Sequence, residues 1–229
     1  MSIYEKNIKN RIILLLGRNS QTLDFIERLS TTGDLLFFGG SIRDLCLFPE
    51  CTQIPRDFDI AINFKNKERF DTLIGEYNFS KNRFGGFKFN ISNIEFDIWD
   101  LNNTWAFKNK YLKPSEENLA KSVYLNIDGI VYNFNKNRLY DDIFQSSIKS
   151  SKLDITLEEN PQVELNLLRA LVFKNKYNLI FSNKLKDVFK TFMNTYDEDL
   201  IESLYEMQLA HYRYNSFSKE EIRKELQFI

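Results

Sequence analysis

Residues 35–62, "LLFFGGSIRDLCLFPECTQIPRDFDIAI", are the part of the sequence that indicates the fold most clearly. An apolar run ends in two glycines, a helix-like segment follows, and a second apolar run begins with Asp57-Phe58-Asp59. This order predicts strand, glycine turn, helix and strand, with Ser41 as the N-cap of the helix. The chain has only eight glycines, so two adjacent ones just upstream of paired carboxylates need an explanation.

The carboxylates Asp57 and Asp59 are two positions apart on a predicted strand, so they point to the same face while Phe58 points into the core. Carboxylates held close together repel each other unless a cation lies between them. Oxygen ligands suit Mg²⁺ or Mn²⁺. The pair therefore predicts a divalent metal site.

The glycine turn supplies the second half of the pattern. Gly39, Gly40 and Ser41 open the predicted helix, where free backbone N–H groups and the helix dipole can hold a phosphate. Arg43 lies one turn further and can reach the same anion. Asp-x-Asp pairs are usually solvated and a Gly-Gly pair is usually only a turn, but their combination in this order predicts a metal-dependent nucleotide site.

A third carboxylate would complete a two-metal arrangement. The segment 93–101, "NIEFDIWDL", alternates in the manner of a strand with one apolar face. Glu95 and Asp97 share the other face with Trp99. Asp97 is the preferred third ligand and Glu95 the alternative.

Composition and cysteine content narrow the class of protein. With 229 residues, 43% of them hydrophobic, the chain can bury a core, and its net charge of -1 argues against coating nucleic acid by bulk electrostatics. Cys46, Cys51 and the single histidine His211 cannot form a conventional zinc site, so free thiols are expected. The apolar run at residues 12–16 is too short for a signal peptide or a membrane span. We expect a cytoplasmic protein with no membrane partner.

The hydrophobic pattern changes along the chain. Up to about residue 155 it predicts two short helices within 6–30, helices over 41–48 and 67–76, and strands over 34–40, 58–64, 85–91, 93–101 and 123–134. After Pro161 it predicts only helices, over 163–178, 182–196, 197–214 and 218–229, with Ser218 and Glu221 at capping-box spacing. The fold class is therefore α+β, with domains over 1–155 and 156–229.

These motifs resemble the head-domain signature of the poly(A) polymerase and class II CCA-adding enzymes, which belong to the polymerase-beta-like nucleotidyltransferase superfamily. The signature is G-G-x-[VI]-R-D-x-L-L followed by D-x-D. Residues 125–134, "LNIDGIVYNF", resemble the family strand "FTINALAYD", and residues 167–182 resemble its neck helix "LLRAIRFAARLGFEIE". The resemblance covers most of residues 32–190. The residues that match the head signature in order are Gly39, Gly40, Arg43, Asp44, Leu45, Asp57 and Asp59.

The resemblance implies a polymerase-beta-like head, a mixed sheet with flanking helices, over 1–155 and an all-helical neck over 156–229. It implies that Asp57 and Asp59 bind the catalytic metals and that Gly40 and Arg43 bind a nucleoside triphosphate. On the neck helix it leaves Arg169 as the one nucleotide-binding arginine.

Two departures from the family pattern concern nucleotide selection. Its Arg-Arg-Asp falls on Ser122, Val123 and Tyr124, and two neck arginines are replaced by Asn166 and Val172. The charged groups that would select the base are therefore missing.

The sequence favours nucleotidyl transfer from a nucleoside triphosphate to a hydroxyl acceptor, with release of pyrophosphate. Two Mg²⁺ (or Mn²⁺) ions held by Asp57, Asp59 and Asp97 would activate the acceptor and neutralise the leaving group. The acceptor is an RNA 3′ end, with tRNA among the candidates, or a protein hydroxyl. The alternative is a catalytically degenerate regulatory subunit that binds nucleotide or RNA within a larger assembly, and in either case a partner chain could complete the site.

Overall fold

The computed structural model describes residues 5–82, 85–196 and 198–229. Residue 197, where one predicted helix begins, lies outside this part of the chain. Two compact units are present: Met1–Ser122 with Asp128–Ile143, and Val123–Ile127 with Phe144–Ile229. The predicted domain boundary at residue 155 falls inside the second unit and remains a proposal.

The first unit is built on a mixed sheet with helices packed around it. Its helices are α1 Glu5–Leu16, α2 Ser20–Ser30, α3 Gly40–Leu47, α4 Lys67–Ile74, α5 Trp105–Lys108 and α6 Glu116–Lys121. Its strands are β1 Gly33–Phe38, β2 Asp57–Phe64, β3 Phe79–Lys81, β4 Phe87–Ile91, β5 Ile94–Asp100, β6 Val131–Asn133 and β7 Arg138–Tyr140.

In the described part of the chain, these seven strands form one sheet in the order β3-β4-β5-β2-β1-β6-β7. The central strands β2 and β5 are parallel, and the other neighbours are antiparallel. Strands β3 and β4 lie on the outer side of β5, so β5 is the direct neighbour of β2. Because the sheet combines one parallel pair with antiparallel pairs, it is mixed, as predicted.

Alternation along the central strands separates a core face from a polar face. Phe58 and Phe96 are fully buried and stack with ring centroids 5.8 Å apart. Phe25 packs against Phe96 and Phe89 from α2. Aromatic burial on this face contributes about 1.5–3 kcal/mol per side chain, and it fixes the register, since a slip by one residue would expose the core face.

The second unit is mainly helical. Its elements are α7 Asp142–Ser150, which begins in the first unit, β8 Lys152–Leu153, α8 Val163–Lys176, β9 Ile180–Phe181, α9 Asn183–Tyr196, α10 Glu198–Tyr212 and α11 Lys219–Gln227. Strands β8 and β9 are parallel and pair over two residues each. The predicted capping box of Ser218 and Glu221 opens α11. No helix of the described residues combines the length and hydropathy that a membrane span needs.

Three local predictions are wrong. The region after Pro161 is not purely helical, because the short strand β9 pairs there with β8. Helix α3 is capped by Gly39, without a side-chain hydrogen bond, so Ser41 is not the N-cap. The predicted strand over 123–134 is reduced to β6, because residues 126–128 form a 3₁₀ turn. A hydrogen bond from the Ile130 amide to the Asp128 carbonyl (2.8 Å) follows this turn, and β6 begins at Val131.

Candidate active site

Four carboxylates lie on the polar face of the two parallel central strands. In the register of β2 and β5, Asp57 is opposite Glu95 and Asp59 is opposite Asp97. All four side chains are half-buried and alternate with fully buried apolar neighbours. The sequence predicted each strand face separately, and the parallel pairing brings the two faces together.

Two cations adjoin these carboxylates, and sequence analysis identified neither. The Arg56 guanidinium donates hydrogen bonds to Asp57 Oδ2 at 2.7 and 3.1 Å. The Lys88 ammonium is 3.4 Å from Glu95 Oε2 and 3.4 Å from Asp97 Oδ2. Lys88 precedes the buried Phe89 in the alternation of β4, which was the available signal, but only strand pairing shows what it contacts.

Among the three carboxylates that Arg56 and Lys88 contact, Asp97 is the most buried. Its side chain is 14% exposed, against 37% for Glu95, and its Oδ1 atom is buried with no hydrogen-bond partner among the described atoms. Burial raises the pKa of Asp97 above its ordinary value. Lys88 opposes this shift, and the charges of Asp57 and Glu95 add to it. A buried oxygen without a hydrogen-bond partner lowers the stability of the fold, so a cation beside Asp97 Oδ1 would be stabilising.

The glycine turn passes directly beside the carboxylates. Gly39 has φ 71° and ψ −146°, a conformation open essentially to glycine alone. A Cβ atom placed on Gly39 would lie 3.2 Å from Asp59 Oδ2. The first glycine is therefore needed both for its backbone angles and for the close approach of the backbone to Asp59.

The start of α3 offers groups that fit an anion. The first amides of a helix have no partner within the helix, and the N-terminal end carries a partial positive charge. Ser41 lies in this first turn, and its buried Oγ atom has no hydrogen-bond partner among the described atoms. These features agree with the predicted phosphate cradle at Gly39, Gly40 and Ser41, whose role remains a prediction.

Arg43 is held beneath the turn. Its side chain is 6% exposed and donates from Nε to Asp44 Oδ1 (2.8 Å) and from Nη1 to Asp128 Oδ1. Its Nη2 atom lies 3.4 Å from the position that a Cβ on Gly40 would occupy. A Cβ at this position would therefore make an ordinary van der Waals contact with the guanidinium, so the second glycine is not required by space. Nothing in the local sequence pointed to Asp128 as its partner.

Arg169, the other predicted nucleotide-binding arginine, lies on α8 in the second unit. Its guanidinium is 3.5 Å from Asn166 Oδ1 and lies over the Phe173 ring. Tyr124, where the family pattern has a charged residue, is buried in the same unit, and burial raises the pKa of its hydroxyl to about 12. The nucleotide-binding role of Arg169 stays a prediction.

The donor chemistry at the carboxylates fits Mg²⁺ or Mn²⁺, since only oxygen atoms are offered and Asp97 Oδ1 lacks a partner. Within the part of the chain that the structure describes, however, no three His, Cys, Asp or Glu side chains already form a metal-binding group. The predicted set Asp57, Asp59 and Asp97 is thus brought to one face but not yet closed around an ion. Metal binding remains a proposal.

Comparison with known proteins shows a structural similarity and no sequence match. No protein-family model matches the chain, and no curated protein matches it. The CCA-adding enzyme of Thermotoga maritima in complex with tRNA superposes with a TM-score of 0.61 at 16% identity, over 94% of this chain and 53% of that one. A CCA-adding enzyme with ATP gives 0.60 at 16% identity, over 97% and 52%. A tRNA nucleotidyltransferase with primer tRNA and an ATP analogue gives 0.52 at 16% identity, over 85% and 62%.

This chain therefore spans about half the length of the first two of these enzymes. At such low identity the similarity establishes the fold and no particular activity. The chain has the α+β fold of a nucleotidyltransferase head followed by helices.

Proposed function

We propose that this protein is a metal-dependent nucleotidyltransferase that transfers a nucleotidyl group from a nucleoside triphosphate to a hydroxyl of an RNA 3′ end and releases pyrophosphate. The observation that carries the proposal is the approach of the Gly39 turn to Asp59, beside the Asp57–Asp59 pair and at the start of α3. A phosphate cradle and a carboxylate pair in one place are what transfer from a triphosphate requires.

Each residue has a proposed role in this reaction. Asp57 and Asp59, with Asp97 as third ligand, would hold Mg²⁺ or Mn²⁺, which supplies charge neutralisation and acidifies the acceptor hydroxyl. The amides at Gly39 and Gly40 and the Ser41 hydroxyl would orient the triphosphate at the start of α3. Arg43 would stabilise the turn and lend it positive charge from beneath.

The nature of the acceptor rests on the similar structures, of which two are described with tRNA. An RNA 3′ end, with tRNA as the first candidate, is therefore the acceptor to test. A protein hydroxyl is the alternative acceptor. The predicted binding of the nucleotide by Arg169, and a partner chain that completes the site, belong to this proposal.

A second candidate function is a regulatory subunit that binds nucleotide or RNA without turnover. It is favoured by the burial of Arg43 against Asp44 and Asp128, since these contacts occupy the arginine that the resemblance assigns to the triphosphate. It predicts nucleotide binding without release of pyrophosphate.

The experiment is to incubate the protein with each labelled ribonucleoside triphosphate, Mg²⁺ and total RNA, and to follow label in RNA and pyrophosphate release. Asp57→Asn and Asp59→Asn should each lose transfer by at least about a hundred-fold, because a metal ligand contributes several kcal/mol at the transition state. Both variants should still fold, because each relieves repulsion among the neighbouring carboxylates, and the ion pair that Asp57→Asn gives up with Arg56 is largely exposed.

Asp71→Asn is the matched control, since Asp71 lies on α4 and pairs with Lys67. It should keep full activity. Turnover by Asp57→Asn at the wild-type rate would refute the metal assignment. Nucleotide binding without any turnover by the wild-type protein would favour the regulatory function.

A further inference from the structure

The residue of interest is Lys88, which stands among the carboxylates of the candidate site. Strand β4 pairs with β5 in an antiparallel register that sets Lys88 directly opposite Asp97. Residues directly opposite in such a pair project to the same face of the sheet. Lys88 is therefore on the face that carries Glu95 and Asp97, and the pleat of the sheet fixes it there.

The two carboxylate oxygens of Asp97 have different surroundings. The ammonium is 3.4 Å from Asp97 Oδ2 and 3.4 Å from Glu95 Oε2, whereas Asp97 Oδ1 is buried without a hydrogen-bond partner among the described atoms. One side of Asp97 thus already has a cation beside it. The other side, Oδ1, is the one left for a metal ion.

This arrangement bears on the number of metal ions. A two-metal site needs carboxylates that bridge or flank both ions. An ammonium within contact distance of Asp97 and Glu95 repels a second divalent ion from the same oxygens.

We propose that Lys88 is a built-in counter-cation which takes the place of one metal ion, so that the nucleotide-free protein binds a single divalent ion, held by Asp57, Asp59 and Oδ1 of Asp97. This inference rests on the proposed function, because it presupposes that the Asp57–Asp59 pair binds metal. Lys88 is a positioning residue here and not a catalytic one.

The test is the stoichiometry of Mn²⁺ binding, measured by electron paramagnetic resonance titration of the nucleotide-free protein. We expect one Mn²⁺ for the wild type and two for Lys88→Met, which frees Asp97 and Glu95. Lys88→Arg keeps the positive charge and should again bind one. Lys67→Met is the matched control, because Lys67 pairs with Asp71 on α4, and it should also bind one.

The outcomes separate the two proposals. Two ions in the wild type, or one ion bound with unchanged affinity by Lys88→Met, would overturn the role of Lys88 alone. A wild type that binds no Mn²⁺ with or without ATP would overturn the metal site and the role of Lys88 together. Should Lys88→Met fail to fold, as judged by circular dichroism, Lys88→Gln replaces it and should also bind two ions, because it removes the ammonium and keeps both carboxylates.

Discussion

Asp59 lies directly opposite Asp97 across the parallel pair of β2 and β5. Adjacent strands are about 4.8 Å apart, so the two carboxylates are neighbours by strand geometry and not by a loop conformation. A site built on central strands is rigid, and its ligands can be held in place before any ion or substrate binds. This relationship allows the contribution of each carboxylate to be tested.

The first prediction compares Asp97→Asn with Glu95→Gln. Asp97→Asn should lower kcat by at least about a hundred-fold, because Asp97 is the more buried carboxylate and offers an oxygen without a partner. Glu95→Gln should stay within about ten-fold of wild type. Steady-state kinetics on both variants measures this, and a larger loss in Glu95→Gln would make Glu95 the third ligand.

The second prediction concerns the glycine turn. Gly39→Ala should lose about 1–3 kcal/mol of unfolding free energy, because alanine resists these backbone angles, and should also lose activity, because its Cβ would press on Asp59. Gly85→Ala is the matched control, since Gly85 also has positive φ (86°) but open space around the added Cβ. Urea denaturation and transfer assays measure both effects. Equal activity of the two variants would contradict the contact with Asp59.

A third prediction follows from the buried Asp34, which accepts hydrogen bonds from Lys65 (2.5 Å) and contacts Lys136 (3.0 Å). Burial acts to raise the pKa of Asp34, but the two lysines outweigh it and lower the pKa below the ordinary 3.8. A lowered folded pKa stabilises the fold above the unfolded value, and this stability is lost as the pH falls through the folded value.

Asp34→Asn should therefore cost about 1.5–3 kcal/mol of unfolding free energy at pH 7. The deficit relative to wild type should shrink as the pH falls from 3.8 through the lower folded pKa, because the wild-type carboxylate is protonated first in the unfolded state and finally in the folded state. Urea denaturation at pH 7 and pH 3 measures both values. A deficit that is the same at both pH values would show that the ion pairs do not carry the effect.

The fourth prediction is that the two cysteines differ in reactivity. Burial raises the pKa of the Cys46 thiol to about 12, with the nearby charge of Asp141 adding to it, whereas Cys51 is exposed. Since the thiolate is the reactive form, only Cys51 should react with a disulfide reagent at pH 8 in the native protein, and both should react after denaturation. A native Cys51→Ser variant that still reacts rapidly would contradict the raised pKa of the half-buried Cys46 thiol.

The fifth prediction concerns selection among nucleotides. Tyr124 is buried, and Ser122 donates its hydroxyl to the Leu119 carbonyl, so neither replaces the charged donors of the family pattern. Each missing charged hydrogen bond is worth about 1.5–3 kcal/mol, or roughly ten- to a hundred-fold in discrimination. Turnover with the four ribonucleotides should therefore differ by less than about ten-fold, and tRNA should bind with a shallow salt dependence. Ordered addition of C, C and A with tight tRNA binding would contradict this.

The faces of strands β2 and β5 and the turn before α3 could be predicted from the sequence alone. Alternation predicted that Asp57 and Asp59 lie on the other face of their strand from Phe58, and Asp97 on the other face of its strand from the buried Phe96, because the side chains of a strand alternate with a period of two. The glycine pair marked the turn, where few residues other than glycine can adopt the backbone angles of Gly39. The long helices after Pro161 followed from their apolar periodicity.

The contacts between charged side chains, in contrast, could be known only from the tertiary structure. The parallel pairing of β2 with β5 and the register of β4 set Asp97 beside Asp59 and Lys88, and the Asp128 turn set a carboxylate on Arg43. These contacts join residues far apart in the chain, and local pattern carries no information about register between strands. Pairing is chosen by burial of the whole aromatic core, so the partners of each charged residue emerge only when the sheet is complete.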